Sequence, residues 1–147
     1  MGEQDVILAA TEALAFLVSE KGFGGPDRRD ESHRTALQYT AGNIGIEAEL
    51  DWHERSAFLL LVRLSHGIWP KGYYVENGKT CRVHLQGVVR RFSWPTNHAF
   101  GPAARIGSDE RMITQMTANA TVLREVLDRV VAKGVELFEQ TPQNRFQ

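Results

Sequence analysis

The stretch from Tyr39 to Leu64 constrains the fold more than any other part of the chain. Its hydrophobic pattern changes around Asp51-Trp52-His53-Glu54. Before that point Ile44, Ile46, Ala48, Leu50 and Trp52 alternate with Glu47, Glu49 and Asp51, as side chains do along a strand with one dry face. After it, Ala57-Phe58-Leu59-Leu60-Leu61-Val62 has no polar side, so that strand needs cover on both faces. The short connection makes the two strands antiparallel neighbours. They predict a hairpin at the centre of an α+β domain, with Leu50, Phe58, Leu60 and Val62 in its core.

Flanking patterns fill in the rest of a single domain over residues 1–147. Residues 5–21 predict an amphipathic helix, with Ile7, Ala10, Leu14, Leu17 and Val18 on one face, Asp5 as N-cap and Lys21-Gly22 as the stop. Gly24 to Ser32 offers glycine, proline and charge but no apolar side chain, and predicts a loop. Strands are expected near 34–41, 43–52 and 55–65, with a short fourth at Tyr73-Tyr74-Val75 before an Asn77-Gly78 turn. The expected sheet therefore has three or four antiparallel strands. A helix is expected from Cys81 to Phe92, capped by Thr80, then a loop from Ser93 to Gly107. Ser108 caps a long final helix whose stripe runs from Ile113 through Met116, Ala120, Leu123, Leu127 and Val130 to Leu137, widened by Val122, Val126, Val131 and Phe138. That stripe suits packing on a sheet or, alternatively, the seam of a coiled-coil homodimer.

Composition narrows the functional classes. The formal net charge of −1 gives no bulk attraction to nucleic acid or to an acidic surface. The charge is nonetheless uneven: residues 1–66 hold 11 acids and 6 bases (net −5), and residues 67–147 hold 7 acids and 11 bases (net +4). Cys81 is the single cysteine, which rules out an internal disulfide and suits a reducing, cytoplasmic setting. The acidic start predicts no secretory signal, and no apolar run approaches the roughly 20 residues that span a bilayer. Nucleotide, dinucleotide and hydrolase loop motifs are absent, so no cofactor is expected.

Several constellations remain as candidates. Glu47, Glu49 and Asp51 stand about 6–7 Å apart along one strand face. The row fits a solvated surface, an acidic docking surface, or a divalent-metal or acid–base site. Cys81, at an expected helix N-terminus beside Arg82 with His84 three residues on, raises the possibility of a nucleophilic thiolate, against the plainer reading of a small buried side chain. None of the five histidines lies at a metal-binding spacing from another. Arg82, Arg90, Arg91, Phe92, Trp94 and Arg105 mix bases with aromatics, but fit an ordinary helix with arginines on its wet face better than a nucleic-acid surface. Trp94, His98 and Phe100 in the long loop, with Trp69 and Tyr73 in a second aromatic segment, fit either a binding surface or plugs over the core.

Gly45 to Trp52, the apolar strand to Arg63-Leu64, Gly72-Tyr73-Tyr74-Val75 and Arg82-Val83-His84-Leu85 resemble small uncharacterised bacterial α+β proteins. Some of those look like immunity proteins of polymorphic toxin systems. The resemblance spans about the middle third of the chain. It implies a non-catalytic binder that blocks a toxin by occlusion, and it transfers no residue role. The expected function is thus a protein-binding module whose partner is another protein, with no membrane. The alternative is a small enzyme using Cys81 and His84, or a metal held by Glu47, Glu49 and Asp51.

Overall fold

A computed structural model describes residues 2–71, 75–76, 79–101 and 108–139. The architecture is α+β. In chain order the elements are α1 (Glu3–Ala13), α2 (Ala15–Ser19), β1 (Gly24–Glu31), β2 (Arg34–Ala41), β3 (Ile44–Asp51) and β4 (Ser56–Arg63). The short strands β5 (Val75–Glu76), β6 (Lys79–Thr80) and β7 (Arg82–His84) follow, then α3 (Leu85–Arg91) and α4 (Asp109–Lys133). Strands β1-β2-β3-β4-β7 form one antiparallel sheet in that order, and β5 pairs with β6 in a separate ribbon.

The central hairpin forms as its pattern requires. Glu47 faces Leu60 and Leu50 faces Ala57 across the β3–β4 register. Ile46, Ala48 and Leu50 are buried with Ala57, Leu59 and Leu61 in the main core, beneath α1, α2 and α4. On the opposite face Leu60, Val62 and Leu64 form a smaller cluster that Trp69 covers. The expected core thus divides: Leu50 belongs beneath the helices, Leu60 and Val62 lie on the other face, and Phe58 is only half-buried.

The sheet has five strands rather than three or four, because two segments pair where the sequence predicts otherwise. Gly24 to Glu31 is a strand, not a loop, although every one of its residues is exposed. A tight turn at Ser32-His33 folds it back on β2, and pairing the open edge of β2 needs only backbone groups. At the other side, the expected helix starts at Leu85, not Cys81, because Arg82–His84 adds to the edge of β4. Tyr73 and Tyr74, expected in a short strand, lie outside the described residues, as do Asn77, Gly78 and Arg105.

The helices show smaller departures. The first begins at Glu3 and breaks at Leu14, leaving two helices where one was expected. Asp5 is not the N-cap; its carboxylate accepts from the Gly2 backbone N–H at 3.0 Å from inside the first turn. Val18, expected inside, is 44% exposed. In α4, Ser108 caps by accepting from Arg111 N at 3.2 Å. Met116, Ala120, Leu123, Leu127 and Val130 are buried within the chain's own core, so the stripe is not an intermolecular seam. Met112 is buried at the start of the helix, whereas Ile113 is half-buried and Val131 is exposed. The helix ends at Lys133, and Gly134 at φ 58° turns the chain into a 3-10 segment that buries Leu137 and Phe138.

Candidate functional site

The face of the sheet turned away from the helices carries a cleft of about 740 Å³. Its floor includes Ala36 and Gln38 from β2 and Glu47 from β3. One wall is β1 with the start of β2, bringing Arg28, Arg29, Asp30, Glu31 and Arg34. The other is the segment Trp69-Pro70-Lys71, with Arg82 from β7.

Alternation along the strands decides which of these side chains meet, and it turns Arg28 and Asp30 toward the helix side. Arg29 faces Ala36, Gln38 faces Glu47, and Gly45 faces Val62, all on the helix-free side. Gly45 sets the position of the far wall. A Cβ on that residue would lie 2.5 Å from the Trp69 ring, so the indole rests on bare backbone. Trp69 thereby covers Val62 and Leu60 and borders the cleft.

A hydrogen-bonded charge network stiffens the floor. Arg82 Nε donates to Glu47 Oε1 at 3.0 Å, and its Nη1 donates to the Pro70 carbonyl at 2.7 Å. Gln38 Nε2 donates to Glu47 Oε2 at 2.8 Å. The side chains of Arg82 and Glu47 are only 9% and 6% exposed. Arg82 therefore ties three strands and the Pro70 wall to one carboxylate, a geometry suited to a guanidinium with several fixed donors.

The other acids at the cleft are also engaged. Arg34 donates to Glu31 at 2.9 Å and to Glu49 at 3.1 Å. Arg28 Nε and the Thr35 hydroxyl both donate to Asp30, at 3.0 and 2.8 Å. The Thr35 hydrogen bond and then the Arg28 guanidinium hold the Asp30 carboxyl below its ordinary value, so it stays ionised.

The expected solvated acid row is therefore corrected at Glu47 and Glu49. Glu47 is buried and paired, and Glu49 is half-buried and paired. Asp51 serves the β3–β4 turn, where Oδ1 accepts from the backbone N–H of His53 and Glu54, each at 3.0 Å. Among the described residues no three His, Cys, Asp or Glu side chains converge as a metal site would need. The signal missed in the sequence was Arg82, whose distant position hides that it neutralises Glu47.

The proposed thiolate has a different setting from the one expected. Cys81 is fully buried and precedes a strand, so it lacks the helix N-terminus invoked for its activation. With no helical turn over residues 81–84, the three-residue spacing does not put Cys81 and His84 on one helix face. The His84 ring instead meets Phe58 edge-on at 5.6 Å.

The aromatic loop divides between the two roles proposed for it. Trp94 is 9% exposed, stacks on Phe92 and belongs to the main core, and Phe100 packs against that core. Both are plugs, and neither lines the cleft. His98 is exposed, and its Nδ1 meets Glu125 of α4 at 2.7 Å. Glu125 also accepts from Asn97 N, so the pair fastens the loop to the helix; the His98 bond lowers the Glu125 pKa. Of the expected surface residues, Glu47 and Trp69 border the cleft, with Glu49 tied to it through Arg34. Tyr73 lies outside the described residues.

A shallower apolar hollow of about 340 Å³ lies between α1–α2 and the β1 bulge, lined by Val18, Pro26 and Tyr39 among others. Burial pushes the Tyr39 phenol up to about 12, so it stays neutral there. No helix among the described residues is long and apolar enough to cross a membrane. No protein-family model, curated protein or solved structure matches this chain.

Proposed function

We propose that this protein is a non-catalytic protein-binding module, of the immunity or regulatory kind, that docks a partner in the cleft on the helix-free face of its sheet. The observation that carries this reading is the cleft itself. It is wide, polar, rimmed by Trp69, and built on a buried Gln38–Glu47–Arg82 network whose charged groups are already paired with one another. Among the described residues such a floor offers no uncommitted acid or base for proton transfer, which suits recognition better than turnover. Docking by occlusion is what an immunity-type role requires, and a cytoplasmic setting fits the reduced, buried Cys81.

Site-specific photo-crosslinking in cells tests the reading. A benzoylphenylalanine replacing Lys71, on the cleft wall, is expected to trap one discrete protein. The same probe replacing Val131, exposed on α4, is expected to trap none. The trapped protein, once purified, should bind the wild-type chain. Equal adducts from both positions, or none from Lys71, would exclude the cleft as a docking site.

A further inference from the structure

We infer that the segment held in this cleft is an extended, acidic stretch of the partner protein, with its carboxylates received by Arg29 and Lys71; the inference rests on the binding reading above. The charges lining the cleft are not balanced. The acids whose side chains share the face of Arg29 are Glu31 and Glu47, each engaged by an arginine of the same chain, Arg34 and Arg82 respectively, while Asp30 pairs with Arg28 toward the helix side. Two further cations line it. Arg29 stands on the β1 wall and Lys71 on the opposite wall, both exposed, and neither meets an acid among the described residues. Among the described residues, the walls therefore present two cations with no carboxylate of the cleft left to neutralise them.

The shape specifies the form of the ligand. The floor between β1 and β3 spans two interstrand spacings, roughly 10 Å, which admits one extended chain. Gln38 and the Trp69 edge offer that chain an amide and an aromatic surface. A polyphosphate backbone suits the cleft less well. Its charges repeat at every unit, whereas the cations of the cleft left unpaired among the described residues are two, one on each wall. A peptide can place isolated carboxylates at the two cations and neutral amides elsewhere.

The test uses the full-length chain and fluorescently labelled decapeptides, measured by anisotropy at low salt. Deca-glutamate is expected to bind, and deca-glutamine to bind about tenfold or more weakly. Arg29→Glu with Lys71→Glu is expected to weaken deca-glutamate by about tenfold or more, while Arg129→Glu on α4 leaves it unchanged. Arg29→Gln with Lys71→Gln, which removes charge without reversing it, should give an intermediate loss, and unchanged thermal melts show that both variants fold. Undiminished binding by the reversed variant, equal loss in Arg129→Glu, or tighter binding of oligothymidylate of equal length would each overturn the inference. The crosslink at position 71 reads separately: a specific adduct without deca-glutamate binding rejects the acidic segment and leaves the docking module intact.

Discussion

Residue by residue, Arg82 shows how much of this molecule depends on single buried contacts. It is the guanidinium that makes burial of Glu47 tolerable, since an ionised carboxylate at 6% exposure needs a paired charge and filled lone pairs. Arg82→Ala would strand that carboxylate and leave the Pro70 carbonyl without its donor. The expected loss is about 3–5 kcal/mol, read from urea unfolding at neutral pH, with Glu47→Gln in the same background recovering part of it. A loss below about 1 kcal/mol would mean that the pair is wetter than its burial implies. The same geometry changes how the acid row is to be probed. Reversing Glu47 attacks the fold, whereas Arg29 and Lys71 are exposed and can be reversed without that penalty.

At the level of elements, the two central strands were legible because burial wrote itself into their periodicity. The alternation in β3 and the continuous run in β4 both appear as expected, with Leu60 and Leu61 each fully buried on opposite faces. Leu60→Ala is expected to cost about 2–5 kcal/mol in a chemical melt, since neither Val62 nor Trp69 can collapse fully into the space. A cost under about 1 kcal/mol would contradict two-sided burial of β4. β1 was illegible for the converse reason. Its side chains bury nothing, so no hydrophobic pattern marks it, and only backbone pairing with β2 makes it a strand. Its sequence is that of a protected edge. Charged residues, Pro26 and a register shift between Gly24 and Asp27 all discourage a further strand from adding there. Gly25 belongs to that shift, with φ 111° and a would-be Cβ 2.6 Å from the Gln38 carbonyl. The start of α3 was misplaced for a related reason: three residues of Cys81–Leu85 pair with β4, and local helical preference yields to a vacant sheet edge.

For the whole molecule, the layering separates stability from recognition. Helices and loop plugs close one face of the sheet, and a short crossing segment leaves the other partly open. Cys81 reports on that organisation. Being fully buried, it should react with a thiol reagent only through opening of the structure, far more slowly than a free model thiol, and at the model rate once urea unfolds the chain. Fast labelling of the folded protein would contradict the packing of β7 against β4 and revive the nucleophile reading.

What the chain's order of residues determined unaided was the α+β class, the β3–β4 hairpin and the long inward-facing α4, because each buries a periodic apolar face and periodicity is local information. Tertiary structure alone decided that a wholly exposed segment is a strand, that Trp94 and Phe100 are plugs, and that Glu47 is a buried partner of Arg82. Those outcomes depend on contacts between residues far apart in sequence, and the energy of a charge is set by what surrounds it in space.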